Sequence, residues 1–305
     1  MKLEVKNIRK SFAGKEVLHG IHFEVESGTA LGLLGRNGAG KTTTMRIIMD
    51  VFKSDSGEIL LDGKPFEPSK QSIGYMPEER GLYPKRIVLE QMVYLARLRG
   101  MGKAEAENSS RKWLRKLDIE EYANRKLETL SKGNQQKVQL AATLVSEPDI
   151  IILDEPFSGL DPVNSQILKN VVRELIDEGR LVIFSSHQMS YVEEFCEDIV
   201  VINHGDVVLK GQLKDIKKDY GKNRITVSLD DYSVEETREI VEQKFHAYVT
   251  VDGVKKDEVI LKLQEGKKKS EVMENMLKEK LSIATFGNYA PSLNEIFVMK
   301  AGDDQ

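Results

Sequence analysis

Short apolar runs alternate with helical segments along the first two thirds of the chain. Residues 29–34, 150–153 and 181–184 form mostly apolar runs without the alternation of a half-exposed strand. Such runs are typical of strands that are buried on both faces of a parallel sheet. Residues 43–49 and 87–96 carry apolar side chains at helical spacing and predict helices. This succession of strands and helices predicts an α/β domain.

A different pattern begins after about Lys217. The predicted strands are residues 224–229, 247–252, 259–263 and 283–289, and the predicted helices are 233–245, a segment with Met273, Leu277 and Leu281 at four-residue spacing, and 292–299. Ser233 is expected to cap its helix together with Glu236, three places later, and a turn is expected at Asp252-Gly253. The order β-α-β-β-α-β predicts a small α+β domain of the ferredoxin-like type.

Composition narrows the class of protein. Of the 305 residues, 40% are hydrophobic and 31% are charged, and the formal net charge is −4. This charge argues against a nucleic-acid partner, and no segment approaches the roughly 18 apolar residues that a membrane span needs. The amino terminus shows no export signal, and the single cysteine, Cys196, predicts a packed thiol. We therefore expect a cytoplasmic chain that does not cross a membrane itself.

A glycine-rich loop follows the first apolar run. The residues of this loop and the start of the next helix are Gly35, Arg36, Asn37, Gly38, Ala39, Gly40, Lys41, Thr42 and Thr43. The first eight fit the pattern G-x-x-x-x-G-K-[ST], in which backbone N–H groups surround a phosphate, Lys41 reaches the β- and γ-phosphates and Thr42 offers its hydroxyl to Mg²⁺. The positive end of the following helix favours the same anion. The sequence therefore predicts a site for ATP or GTP with Mg²⁺.

Two carboxylates follow the apolar run at residues 150–153. Asp154 and Glu155 are expected at the carboxyl edge of the sheet, where ligands of open α/β sheets bind. Asp154 would hold Mg²⁺, and Glu155 would orient and polarise the water that attacks the γ-phosphate. The structural alternative for this pair is an acidic turn after a strand. His187 follows the run at 181–184 and is expected at the γ-phosphate or the attacking water, with a surface histidine that caps the next helix as its alternative.

The segment from Leu130 to Val138, read L-S-K-G-N-Q-Q-K-V, lies between the glycine loop and the two carboxylates. The order of glycine loop, L-S-x-G-x-Q segment, apolar run with D-E-P, S-G-L-D and S-H resembles the ATP-binding subunit of an ATP-binding cassette (ABC) transporter. The resemblance covers residues 1 to about 215. It implies a P-loop NTPase core over residues 1–217 with an inserted helical subdomain at about 87–145, followed by an accessory domain over 218–305.

The family resemblance implies further roles for individual residues. Phe12 matches the aromatic residue that stacks on adenine, Glu155 the general base and His187 the switch histidine. Ser131 and Gly133 match the signature that binds the γ-phosphate held by another subunit, before a helix expected from about Gln135 to Val145. Asp161 belongs to the loop that links the two sites. The alternatives are core packing for Phe12 and an ordinary turn, stopped by Pro162, for the loop.

Two positions depart from the usual pattern of the family. Lys132 replaces a glycine of the signature and is expected to point to solvent. Glu78 stands where the family carries a glutamine that senses Mg²⁺ and the membrane partner. A carboxylate can still coordinate the metal or its water, so we expect Glu78 to remain a metal ligand, while its coupling to a partner is open.

The resemblance favours a motor subunit that hydrolyses ATP and powers a separately encoded membrane-spanning permease. The accessory carboxyl-terminal domain resembles those of drug or sodium exporters, and the subunit would act at the inner face of the membrane as a dimer with itself or a paralogue. A soluble cassette ATPase that acts on ribosomes or DNA is the alternative. The single glycine loop and the short insertion before the signature argue against it. A GTP-dependent switch would need an N-K-x-D-like segment, and the chain lacks one in the expected region.

Overall fold

The computed structural model describes residues 1–79 and 81–301. They form two compact units. One contains residues 1–213 together with residues 300 and 301, and the other contains residues 214–299. The division after Leu213 lies slightly before the predicted boundary after Lys217, and residues 302–305 of the predicted second domain lie outside the described residues. No helix in the described residues is both long enough and apolar enough to span a bilayer.

The first unit alternates strands and helices. Its strands are β1 Lys2–Phe12, β2 Lys15–Glu26, β3 Ala30–Leu34, β4 Ser56–Leu61, β5 Lys64–Pro65, β6 Ile73–Met76, β7 Ile150–Asp154, β8 Leu181–Ser186, β9 Asp198–Asn203 and β10 Asp206–Gln212. Its helices are α1 Lys41–Ile48, α2 Val88–Leu98, α3 Lys103–Lys116, α4 Lys132–Leu144, α5 Pro162–Asp177 and α6 Met189–Phe195, with short 3₁₀ turns at Pro68–Lys70, Glu120–Tyr122 and Leu127–Thr129.

A six-stranded sheet in the order β10-β9-β3-β8-β7-β6 forms the centre of this unit. All of its strands are parallel except β10, which pairs with β9 antiparallel. Every residue of β3, β7 and β8 is buried, so the prediction of doubly buried parallel strands is confirmed. The carboxyl ends of β3, β6, β7 and β8 therefore bring the glycine loop, Glu78, Asp154 and His187 to one edge of the sheet.

A second, antiparallel sheet in the order β2-β1-β4-β5 packs against the first. Leu3, Leu18 and Ile21 of this sheet share one apolar core with residues of the central strands and with Met45 of α1. None of the apolar runs picked out in the sequence lies in this sheet. The glycine loop is thus held between two sheets rather than above a single one.

Helices α2, α3 and α4 form the inserted helical region. Its apolar side chains, among them Met92, Trp113 and Val138, are buried. Arg99, which follows α2, donates a hydrogen bond to the carbonyl of Ile73 on β6 and thereby ties this region to the central sheet. The region lies within the stretch that the sequence predicted to be helical.

The second unit has the predicted ferredoxin-like order. Its elements are α7 Leu213–Tyr220, which begins at the division, β11 Arg224–Leu229, α8 Val234–Lys244, β12 Val249–Lys255, β13 Glu258–Leu263, α9 Lys269–Lys278, β14 Ile283–Asn288 and α10 Leu293–Ala301. The four strands pair antiparallel in the order β12-β13-β11-β14. Ser233 caps α8 as predicted, because its hydroxyl accepts from the Glu236 N–H while its own N–H donates to the Glu236 carboxylate.

The expectation of a turn at Asp252-Gly253 was wrong. Asp252 and Gly253 lie inside β12, where the register shifts, and the turn follows at Lys256, whose φ is 52°. A bulge and a turn have similar sequence signals, since both favour glycine. The helix predicted from the spacing of Met273 and Leu277 is α9, and its buried side chains are Val272 and Met276, one position before each of these residues, while Met273 is 41% exposed.

In the first unit, Cys196 packs against β3 of the central sheet from the end of α6. It is buried, and burial raises the pKa of its thiol well above the usual value. A methyl group on Gly32 of β3 would lie 3.0 Å from its sulfur and 2.6 Å from Val192 of α6. The prediction of a packed thiol is confirmed.

Candidate active site

The glycine loop joins the end of β3 to the start of α1. Gly40 is the N-cap of α1 with φ 115°, and a methyl group there would lie 2.5 Å from Leu18 of β2. At Gly35, with φ 154°, a methyl group would lie 2.3 Å from the carbonyl oxygen of Ile202. Glycine at both positions therefore allows a left-handed backbone and a close approach of neighbouring segments.

Lys41 lies over this loop with a side chain that is almost fully buried. Its Nζ donates to the carbonyl oxygens of Gly35, at 2.7 Å, and Arg36, at 3.3 Å. Burial lowers the pKa of Lys41, and the carboxylates of Glu155, Asp154 and Glu78 oppose that shift. The ammonium group is thus placed at the loop by backbone acceptors that an anion can replace.

Asp154, at the end of β7, is held by hydroxyl groups on both of its oxygens. Thr42 donates to Oδ2 at 2.9 Å, and Ser185 of β8 donates to Oδ1 at 2.5 Å. Ser185 also accepts a hydrogen bond from the backbone N–H of Glu155 at 3.1 Å. The sequence pattern did not indicate this role of Ser185. The available signal was its place in β8, since Asp154 and Ser185 are paired neighbours.

Glu155 is buried in a strained conformation beside His187. Its φ is 52°, a left-handed value that costs a non-glycine residue about 1–3 kcal/mol and is typical of functional sites. Oε2 lies 2.9 Å from Nδ1 of His187, whereas Oε1 has no partner among the described residues although it is buried. A buried carboxylate oxygen without a partner is costly, so Glu155 can accept a hydrogen bond from a further group such as water.

These residues surround a cavity of about 350 Å³. The cavity is lined by Arg36, Asn37, Gly38, Gly40, Lys41, Thr42, Thr43, Glu78, Asp154 and Glu155, and Ala39 is buried beneath the loop. Most of the predicted phosphate and metal residues therefore meet at one place. Backbone donors and Lys41 suit phosphates, and the hydroxyl of Thr42 with the carboxylates of Asp154 and Glu78 suits Mg²⁺, which prefers few protein ligands beside phosphates and water.

The remaining predicted residues do not line this cavity. Ser131 is the exposed N-cap of α4 and accepts from the Asn134 N–H at 3.3 Å. The helix starts at Lys132 rather than near Gln135, so Gly133 lies in its first turn. The expectation of a later start was wrong because Lys132 and Gly133 resemble loop residues, whereas the cap on Ser131 already begins the helix.

Asp161 and Phe12 lie at two other places on the first unit. Asp161 is the N-cap of α5 and accepts from the Asn164 N–H at 2.9 Å, and Pro162 occupies the first helical position, where it begins the helix instead of stopping a turn. Phe12 is 40% exposed at the end of β1, and its ring forms a T-shaped pair with the ring of Phe52 with 5.3 Å between centroids. Nζ of Lys10 lies 5.5 Å from the centroid of the same ring, so two side chains contact the ring and the rest of it is exposed.

Comparison with known proteins assigns the family. A family model described as ABC transporter matches residues 18–158, and one described as the carboxyl-terminal domain of DrrA1-3-like ATP-binding proteins matches residues 211–301. An uncharacterized ABC transporter ATP-binding protein of Bacillus subtilis (strain 168), YhaQ, is 41% identical over 303 residues, which are 98% of each chain. The chain belongs to the ABC transporter ATP-binding proteins.

Two further ABC proteins show how far the similarity extends. A Nod factor export ATP-binding protein of Burkholderia lata (strain ATCC 17760 / DSM 23089 / LMG 22485 / NCIMB 9086 / R18194 / 383) is 33% identical over 213 residues, 68% of this chain and 70% of the relative. A solved ATP-binding subunit of an ABC transporter superposes with a TM-score of 0.66 at 31% identity, over 72% of this chain and 94% of that structure. The predicted P-loop fold is confirmed, and the chain is an ABC ATPase.

Proposed function

We propose that this ABC ATPase powers a separately encoded membrane exporter through ATP-driven closure and opening of a dimer. The observation that carries the proposal is the buried Glu155, with one oxygen at His187 and the other without a partner beside the glycine-loop cavity. This arrangement suits a carboxylate that acts on water in phosphoryl transfer. The site would therefore hydrolyse the nucleotide rather than only bind it.

Each residue of the cavity then has a separate task. The loop N–H groups and Lys41 hold the β- and γ-phosphates, and Thr42 with Asp154, supported by Glu78, would hold Mg²⁺. A bound Mg²⁺ neutralises charge on the phosphate oxygens. Ser185 orients Asp154, Glu155 accepts a proton from the attacking water, and His187 orients Glu155.

The proposed dimer follows from the signature residues. Ser131 is exposed at the amino end of α4 and away from the cavity of its own chain, and Val163, next to the Asp161 cap, is 72% exposed. An exposed helix start offers donors to an anion. In a head-to-tail pair of copies, or a pair with a paralogue, Ser131 and Gly133 of one subunit would contact the γ-phosphate held by the other. Loss of that phosphate on hydrolysis would release the pair.

A groove between the helical region and the core is the proposed contact for the permease. It has a volume of about 790 Å³ and is lined in part by Met49, Asp50, Ile73, Leu98 and Arg99. Leu98 is 65% exposed. A groove of this kind fits a short amphipathic helix of a membrane protein, and the subunit would then lie at the cytoplasmic face of the membrane.

An export direction is proposed from the similarity to the Nod factor export protein and from the DrrA1-3-like carboxyl-terminal domain. The test is purification of the tagged chain from membranes, followed by identification of the polytopic protein that accompanies it. Reconstitution of both in vesicles should show ATP-dependent movement of a solute away from the ATPase side. Recovery with ribosomes or DNA-processing proteins, and no membrane partner, would contradict the proposal.

A further inference from the structure

The turn between β9 and β10 connects the glycine loop to strand β2. Gly205, in this turn, donates its N–H to the carbonyl oxygen of Ala39 at 3.0 Å and accepts from the N–H of His19 at 2.9 Å. One residue therefore forms a backbone bridge from the loop that holds phosphates to the antiparallel sheet. The loop is supported from outside its own strand and helix.

The bridge leaves no room for a side chain. Gly205 has φ 84°, and a methyl group there would lie 2.5 Å from the carbonyl oxygen of Val17 and 3.3 Å from Cε1 of His19. The same β9–β10 segment contacts the loop a second time, since the Ile202 carbonyl lies against Gly35. The glycine loop, the β9–β10 turn and β2 therefore contact one another directly through their backbones.

A pair of side chains closes the bridge at the surface. Nδ1 of His19 lies 2.9 Å from Oδ2 of Asp206, the residue after Gly205. The His19 N–H and its imidazole therefore hold two successive residues of the turn. We name the set His19, Gly205 and Asp206 the loop brace.

His19 of the loop brace lies on β2, the strand that follows Phe12 in the chain. β1 and β2 form a hairpin in which Phe12 pairs with Lys15, and its register shifts three times between Val5 and Ser11. Bulges of this kind let a hairpin bend and twist, so pairing with β1 does not by itself determine where the tip lies. The brace holds β2, and with it the hairpin, against the glycine loop.

Resting on the proposed function of Phe12 and the glycine loop in ATP binding, we propose that His19 and Asp206 are positioning residues that hold the adenine-binding hairpin at the correct distance from the phosphate-binding loop. Neither residue lines the glycine-loop cavity. Their effect requires a ligand that spans both parts of the site, which ATP does and inorganic tripolyphosphate does not. This difference separates positioning from general support of the fold.

The experiment measures dissociation constants of ATP and of tripolyphosphate, by calorimetry with Mg²⁺, for full-length wild type, His19→Ala, Asp206→Ala and the double variant. We expect each variant to weaken ATP binding about 3–10-fold, the double variant to be no weaker than the single ones, and tripolyphosphate binding to stay within about twofold. His22→Ala, at an exposed histidine three residues further along β2, is the matched control and should bind both ligands as wild type does.

Phe12→Ala separates failure of the brace from failure of the adenine assignment. This variant should weaken ATP binding alone, and adding His19→Ala to it should have no further effect. If Phe12→Ala weakens ATP binding and His19→Ala does not, the brace is wrong and the adenine site stands. If His19→Ala weakens the binding of ATP and of tripolyphosphate equally, His19 supports only the glycine loop and does not position the hairpin. If Phe12→Ala leaves ATP binding unchanged, both assignments are wrong.

Discussion

The side chain of Asn164 fills the space beside Gly133, so that a methyl group on this glycine would lie 2.7 Å from Nδ2 of the asparagine. The same amide donates to the carboxylate of Asp161. One side chain therefore connects the first turn of α4 with the cap of α5. The two segments that we propose to face a second copy are parts of a single packed surface.

Gly133→Ala should displace Asn164 and break its contact with Asp161. A contact this close in a packed site costs about 1–3 kcal/mol, so we expect the free energy of unfolding, measured in urea, to fall by about that amount. Adding Asn164→Ala should restore most of it, because the methyl group then has space. Lys132→Ala, one position earlier and exposed, is the control. Wild-type stability for Gly133→Ala would mean that Asn164 moves aside freely.

Glu155→Gln should retain ATP binding and lower the rate of hydrolysis about 10²–10⁴-fold, as expected for loss of a general base. With ATP and Mg²⁺ the variant should elute as a dimer in gel filtration, because the γ-phosphate is no longer removed. Glu178→Gln, at the exposed end of α5, should behave as wild type. A strictly monomeric ATP-loaded variant, alone and with the membrane partner, would contradict the dimer mechanism.

Ser185→Ala should weaken the response to Mg²⁺. The change removes one of the two hydroxyl donors to Asp154 and leaves the buried Glu155 N–H without its acceptor. Groups that orient metal ligands typically affect metal affinity 10–100-fold, so the Mg²⁺ concentration for half-maximal hydrolysis should rise by about tenfold. Ser186→Ala, in the next position, tests whether any serine loss has this effect. An unchanged Mg²⁺ dependence would remove Ser185 from the site.

Glu78→Gln should leave ATP binding nearly intact and change the hydrolysis that the membrane partner stimulates. Glu78 lines the cavity from the end of β6, and its charge is one of three that act on Lys41. The measurement compares the ATPase rate with and without the reconstituted permease. Glu79→Gln, its neighbour, serves as the control. An identical stimulated rate would exclude a role for position 78 in coupling.

Glu295 should make the second unit sensitive to acid. Burial alone would raise the pKa of this carboxyl, but hydrogen bonds from Ser292, Lys255 and Tyr289 lower it to about 2. The resulting stability is complete above the ordinary carboxyl pKa near 4.5 and is lost as the pH falls towards 2. The side chain is 28% exposed, so we expect about 1–2 kcal/mol rather than the full linkage value.

The measurement for Glu295 is hydrogen exchange of the α10 amides in the full chain. Glu295→Gln should increase exchange at pH 7, and the difference from wild type should shrink as the pH is lowered to 3. Glu274→Gln, at an exposed position on α9, is the control and should leave the exchange of the α10 amides as in wild type. A difference that stays constant with pH would mean that charge on Glu295 does not stabilise the unit.

The residues that we propose to contact phosphates could be predicted because they follow one another in the chain. The glycine loop and the Asp154-Glu155 pair each form a continuous segment, and parallel strands necessarily place such segments at one edge. Ser185 and Asn164 could not be predicted in the same way. Their partners, Asp154 and Gly133, lie about thirty residues away along the chain, and only the packing of neighbouring elements brings them together.

In the carboxyl-terminal unit, too, local features could be predicted from the sequence and tertiary contacts could not. The order of its elements could be predicted because strand and helix periods differ strongly, and the capping pair Ser233 and Glu236 is a local signal. The buried face of α9 could not, since apolar residues occupy neighbouring positions, Val272 with Met273 and Met276 with Leu277. Which of each pair is buried depends on how the helix is rotated against the sheet, and that depends on tertiary contacts.

The sealed environment of Cys196 has a practical use. The chain has one cysteine, and its thiol is buried against β3. A thiol-reactive probe should therefore not react with the native protein. A cysteine introduced at exposed Ser131 or Phe12 would then carry a spin label or fluorophore at a single known point. Separation of two such labels during turnover could be followed in real time without first removing a native thiol.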